Sequence, residues 1–181
     1  MILFIAKTTA SPDAATTLHG GDLFVHIMLL HYIYTLFAEA LEKFEPISSQ
    51  PTHSHLAELR EVLAQILLVI PYNEENVIHN FVGLIQDPKT YTADYTTAFL
   101  YPRKHAIYDV PVRDGEKAQM HARKEAIHKA RICDFTTYEA VECKMGKFIL
   151  SVIEDTWVHK LRRDKNYYTL VTAGQLLDHL Q

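Results

Sequence analysis

Glycine is scarce in this chain, with 6 in 181 residues. Long stretches therefore lack the residue that most often punctuates a strand-and-turn protein, and helices are favoured over a sandwich or barrel. Cysteine is scarcer still, at 2. Cys133 and Cys143 fall on one helical pattern, where their spacing puts them roughly 15 Å apart, beyond the ~7 Å that a disulfide spans. Without a Cys-x-x-Cys or a Cys/His quartet, a structural zinc site is not expected either. Reduced cysteines that serve packing suit a cytoplasmic protein. Net positive charge is also missing: the chain carries −4, so any nucleic-acid contact must come from a local patch. The opening Met-Ile-Leu-Phe-Ile-Ala-Lys lacks a basic n-region and makes a poor signal peptide.

Motifs for chemistry are equally sparse. There is no Gly-x-Ser-x-Gly, no Walker glycine loop and no Gly-x-Gly-x-x-Gly. Neither cysteine has a recognisable base beside it. No catalytic residue, cofactor or small-molecule substrate is expected, and the chain reads as a non-enzyme.

What is present is hydrophobic periodicity. Residues 8–22 are polar and turn-rich, so 1–22 reads as a mobile leader. A run from Leu23 to Ala38 is apolar nearly all round, with Asp22 placed to cap it. It falls short of the ~20 uncharged residues a membrane span needs, and His26 and His31 interrupt it. Asp22 and Glu39 flank it instead of lysine or arginine. A helix buried or covered by a partner is expected, continuing amphipathically until Pro46, with both histidines as hydrogen-bonded core or interface groups.

A loop over 48–55, with His53 and His55 at its tip, precedes a helix with Leu56, Leu59, Leu63, Ile66, Leu67 and Ile70 on one face. Asn73 is placed to cap a third helix over 74–86, and Asp87-Pro88 to open a short fourth one through Tyr95. Residues 96–113, with Pro102 and Pro111, read as a long irregular connection. This linker divides the helical region 23–181 into two halves, 23–95 and 114–181, which are either one domain or two lobes.

From Asp114 the pattern is helical again. Ala118, Ala122, Ala126 and Ala130 form a small-residue stripe that would admit a neighbouring helix. Asp134 or Thr136 is expected to break the run. The cleanest periodicity follows, in Tyr138, Val141, Met145, Phe148, Ile149, Val152 and Ile153. Asp155 is placed to cap a helix over 156–163, with Trp157 anchoring the core. Thr172 and Gln175 make a capping-box pair for a final helix. That helix reaches Gln181 without a C-cap, as if cut from a longer polypeptide.

Two constellations merit weighing. His121, Glu125 and His128 share one helix face, and Glu125-x-x-His128 has the spacing of di-iron bundles. No second Glu-x-x-His exists to complete such a site, so a solvated mixed-charge face is preferred and no metal is expected. Lys160, Arg162, Arg163 and Lys165 cluster after Trp157. With a weaker contribution from the basic residues of 113–131, they are the candidate contacts to phosphate.

Taken in order, Tyr91-Thr-Ala-Asp-Tyr95, Arg123-Lys-Glu-Ala-Ile-His-Lys-Ala130, Phe148-Ile-Leu-Ser-Val-Ile-Glu-Asp-Thr-Trp157-Val and Tyr168-Thr-Leu-Val-Thr172-Ala-Gly-Gln-Leu-Leu-Asp-His-Leu180 resemble the Gag-like region of copia-type LTR retrotransposons. The resemblance spans about 56–181. It implies an all-α, capsid-like bundle that self-associates into a particle around element RNA, without catalytic residues. The zinc knuckle that often supplies RNA binding in that family is absent, and the first 45 residues match nothing in it. The expectation from a different class is a helical adaptor whose 23–38 helix is covered by a partner; a His/Glu metal enzyme is a third.

Overall fold

The computed structural model describes residues 20–72, 80–106, 110–111, 115, 117–161, 168 and 171–181, with side chains from Phe24 onward. Among these the protein is all-α. Its helices are α1 (Gly20–Lys43), α2 (His53–Val69), α3 (Pro88–Tyr95), α4 (Ala118–Val152), α5 (Asp155–Val158) and α6 (Ala173–His179), with 3-10 turns at Val82–Leu84 and His159–Leu161. The one extended pairing among them is an isolated parallel bridge between Ile47 and Ile153, closed by Ile47 N–H donating to the Val152 carbonyl at 2.6 Å.

The apolar stripes pack as their spacing predicts. Leu56, Leu59, Leu63, Ile66, Leu67 and Ile70 are all buried, as are Val141, Met145, Phe148, Ile149, Val152 and Ile153. Apart from Leu56, they join Ile33 and Phe37 of α1 and Leu176 and Leu177 of α6 in one hydrophobic cluster. Both halves of the sequence thus contribute to a single core. Phe148 fixes the α1–α4 contact, with its ring 6.2 Å from Phe37 and 5.9 Å from Phe44.

Two helix starts follow from local chemistry. Asp87 accepts from the backbone N–H groups of Lys89 and Thr90, which holds its carboxyl below the usual aspartate range, and Pro88 fills the first turn. Thr172 and Gln175 form the reciprocal capping box of α6.

Several expectations are corrected. Neither Asp134 nor Thr136 breaks α4, which runs unbroken for 35 residues. Thr136 turns its hydroxyl back onto the Ile132 and Cys133 carbonyls, and Asp134 and Thr137 are buried, so packing overrides their weak helix preference. The expected 74–86 helix is not continuous. Residues 73–79 lie outside the described residues, and Asn80 adopts φ 47° with its side-chain amide donating to the Leu68 carbonyl. A left-handed residue ends helical geometry, and only a 3-10 turn follows.

Asp155 is the first residue of α5, not its cap; Glu154 holds the cap position, and the Asp155 carboxylate accepts from Tyr168 Oη at 2.7 Å. His53 and His55 are not at a loop tip. His53 opens α2, and His55 Nδ1 accepts from Thr52 N–H in a second capping box. The first turn of α1 begins at Gly20, so Asp22 lies inside the helix. Residues 1–19, the rest of the leader, lie outside the described residues. Cys133 is half-buried but Cys143 is exposed, so Cys143 is not a packing residue.

The irregular connection is structural where described. Tyr72 stacks on Phe81 at 5.0 Å and donates its hydroxyl to the Leu100 carbonyl at 2.7 Å. Phe99 lies among Tyr72, Tyr91 and Tyr101. This aromatic row ties the connection to α2 and α3.

Candidate interaction surface

Helix α1 presents two faces with different fates. Ile33, Phe37 and Phe44 are buried against the core, and Leu29, Leu30, Leu36 and Ala40 pack beside them. Two polar contacts to α4 assist. His26 Nε2 lies 3.0 Å from Thr136 Oγ1, and burial holds the imidazole below its ordinary pKa. Since the Thr136 hydroxyl donates to a backbone carbonyl, it is left to accept from the ring. Lys144 Nζ sits 3.4 Å from the centroid of the Tyr34 ring, a cation–π contact, and burial lowers its pKa.

The opposite face of α1 is apolar and open. Phe24 is 65% exposed, Val25 67%, Ile27 53% and Met28 51%, followed by Tyr32. A side chain of this kind normally gains about 1.5–3 kcal/mol from full burial, so leaving several together in water is costly. Of the helix expected to be buried or covered by a partner, one side is packed within this chain and the other is open. His31 is on the exposed side, unlike His26.

By length and composition, Phe24–Lys43 would suffice to cross a membrane. Inserting it would strip Ile33 and Phe37 from the core, which favours α1 as part of the folded body.

The candidate phosphate contacts lie elsewhere. Lys160 is exposed in the His159–Leu161 turn; Arg162, Arg163 and Lys165 lie outside the described residues. Trp157 packs beside the core as expected, and its buried indole N–H has no acceptor among the described residues. On α4, Glu125 pairs with Lys129 at 2.8 Å, and His128 meets His105 edge-on at 6.2 Å between ring centroids. Among the described residues no three or more His, Cys, Asp or Glu side chains are grouped to hold a metal ion. The His121, Glu125 and His128 set is thus not gathered into a ligand cage there. Ala118, Ala122 and Ala126 are exposed, so among the described residues no helix covers the small-residue stripe at those positions.

Sequence reasoning missed Glu142. This half-buried carboxylate on α4 accepts from Ala173 N–H, the first amide of α6, at 3.1 Å. Burial raises its pKa, and the hydrogen bond opposes but does not cancel that effect. Tyr138 and Tyr101 beside it are raised as well, first by burial and then by the Glu142 charge. The proton is held more firmly in the folded state, so this contribution to stability is fully present below the unfolded glutamate pKa and is lost as pH rises through the folded value. Glu142→Gln keeps an acceptor for Ala173 and should flatten the loss of stability as pH rises above the ordinary glutamate range. Urea unfolding midpoints over that rise check it; a variant that follows the wild-type slope counts against the assignment.

Compared with known protein families, curated proteins and solved structures, the chain matches none of them. The likeness to copia-type Gag therefore rests on the residues quoted above.

Proposed function

We propose that this protein is a non-catalytic, Gag-like structural protein that self-associates through apolar helix faces into a capsid or ribonucleoprotein particle. The observation that carries the reading is the open apolar side of α1, borne by a helix whose other side is locked into the core. A helix held rigidly with large side chains facing water is suited to a partner surface, since little ordering remains to be done on binding. RNA contact is assigned to Lys160, Arg162, Arg163 and Lys165, with the basic residues of α4 as a weaker contribution. With a net charge of −4 overall, such a local patch would give sequence-independent, salt-sensitive binding. A cytoplasmic location goes with this proposal.

Sedimentation velocity over a range of protein concentrations tests it, with and without single-stranded RNA. Larger species should grow with concentration, and RNA should promote them at about 50 mM salt but not at several-fold higher salt. Replacing the four basic residues by alanine should reduce the salt dependence of RNA binding by up to roughly three in log–log slope, at ~0.7 per phosphate contact on a single strand. A chain that stays monomeric at high concentration, with and without RNA, overturns the proposal.

A further inference from the structure

Positive charge is unevenly placed along this chain. Residues 101–131 carry eight Lys or Arg against four Asp or Glu, while the other 150 residues carry ten against eighteen. An acidic protein thus holds one basic tract, an asymmetry that favours a polyanionic partner. The fold gathers part of that tract onto one surface. Lys117, Lys124 and Arg131 recur every seven residues, so they share a side of α4 with His121 and His128. The irregular connection meets that side, with the His105 ring edge-on to the His128 ring at 6.2 Å between centroids. Arg103 and Lys104 directly precede His105, and both are exposed, as are Lys117 and Arg131; Lys124 is half-buried.

The single carboxylate that α4 carries before Asp134 is Glu125, and Lys129 holds it at 2.8 Å, which offsets its charge. Asp109, Asp114 and Glu116 lie outside the described residues. This part of α4 also stands clear of the core: no residue from Ala118 to Cys133 is buried, a ridge of about 24 Å at 1.5 Å per residue. Tyr101 is 56% exposed at the start of the basic tract, and its ring is steadied edge-on by Phe99 at 5.0 Å. Glu142 beside Tyr101 marks the edge of the basic surface.

We infer that Arg103 and Lys104 of the connection, with Lys117, Lys124 and Arg131 of α4, form a composite surface for the phosphates of single-stranded RNA, at whose edge Tyr101 stacks on an unpaired base. This rests on the RNA binding proposed above and gives it a main surface other than Lys160 to Lys165. Neighbouring cations on a fixed helix suit a phosphate backbone, because their spacing is set before the strand arrives. An exposed aromatic ring beside them favours a single strand, since a duplex keeps its base faces stacked on one another.

Fluorescence anisotropy of a labelled oligouridine strand with the full chain, between about 50 and 200 mM salt, tests the inference. Circular dichroism confirms that each variant is folded. Arg103→Gln with Lys104→Gln should lower the log–log salt slope by up to roughly 1.4, at ~0.7 per phosphate contact, and so should Lys117→Gln with Arg131→Gln. All four together should lower it by up to roughly 2.8 and weaken binding at least ~10-fold at ~50 mM salt. Tyr101→Ala should weaken binding by about 5-fold at every salt concentration and leave the slope alone. Lys43→Gln with Lys89→Gln removes two charges elsewhere on the exposed surface and should leave the slope unchanged.

An effect confined to the α4 pair overturns the composite surface, and an equal fall in slope for the Lys43 and Lys89 control means that net charge alone is read. RNA binding that survives the four-fold variant, and loses its salt dependence when Lys160, Arg162, Arg163 and Lys165 are replaced, overturns this inference while the proposal above stands. A wild type that binds no RNA overturns both RNA assignments and leaves self-association to be judged by sedimentation. Binding of phosphatidylserine vesicles in place of RNA, lost in the four-fold variant, overturns the inference in favour of a lipid surface.

Discussion

Phe148→Ala should lower stability by about 3–5 kcal/mol, the cost of removing a buried phenylalanine and leaving a cavity that closes only in part. Phe148 is 3% exposed and lies against the rings of Phe37 and Phe44. Truncating it thus removes two aromatic pairs at the same contact, the one that joins α1 to α4. A domain of this size has a total stability of about 5–15 kcal/mol, so the variant would keep at most about four-fifths of it and at the lower end would unfold outright. With a denaturant slope of roughly 2 kcal/mol per molar urea, the unfolding midpoint should fall by about 2 M. Leu41→Ala provides the contrast on the same helix. Leu41 is 41% exposed, and its loss should stay within ~0.5 kcal/mol. If the two variants unfold at similar urea concentrations, α1 does not pack on α4 through this ring.

Gly83→Ala should be the most damaging single-methyl change, at about 1–3 kcal/mol. Gly83 is buried in the Val82–Leu84 turn, and a Cβ there would overlap the ring of Phe99 and lie 2.6 Å from its Cβ. Phe99 cannot withdraw freely, because its ring also meets Tyr72, Tyr91 and Tyr101. The strain should pass into the whole aromatic row. Phe99→Ala removes the obstacle, so the double variant should lose less than the sum of the two single changes, with a coupling of about 0.5–3 kcal/mol. Strict additivity in urea unfolding would mean that the added methyl and the ring never meet.

The helices that were readable beforehand share a physical trait. The faces Leu56 to Ile70 and Val141 to Val152 declare themselves because a helix turns 100° per residue whatever it later packs against. The caps at Asp87 and Thr172 were readable for a related reason: acceptor and donor are two or three residues apart, so the sequence alone brings them together. Where expectation failed, the deciding partner was distant or the local signal was ambiguous. Asp134 and Thr136 have the chemistry of helix breakers, but α4 continues through them where it packs on α1, with Thr136 meeting His26 across 110 positions. His55 looked like a loop histidine because capping boxes are usually sought with glutamate or glutamine.

The candidate surface divides in the same way. That 23–38 is helical and apolar was written in the sequence, and so was the run Lys160 to Lys165. Which side of α1 would be covered was not, since a helix that is apolar all round has no periodicity to orient it. That was decided by α4, whose own stripe selects Ile33, Phe37 and Phe44 as the buried set and leaves Phe24 and Met28 outside. Glu142 is similar: its contact with Ala173 closes 31 positions of chain, and no local pattern marks it. The sequence by itself determined helix, face and cap, because each depends on neighbours within a few turns. Only the tertiary structure decided which apolar face remained open and which carboxylate met α6, because both depend on what the folded chain brings alongside.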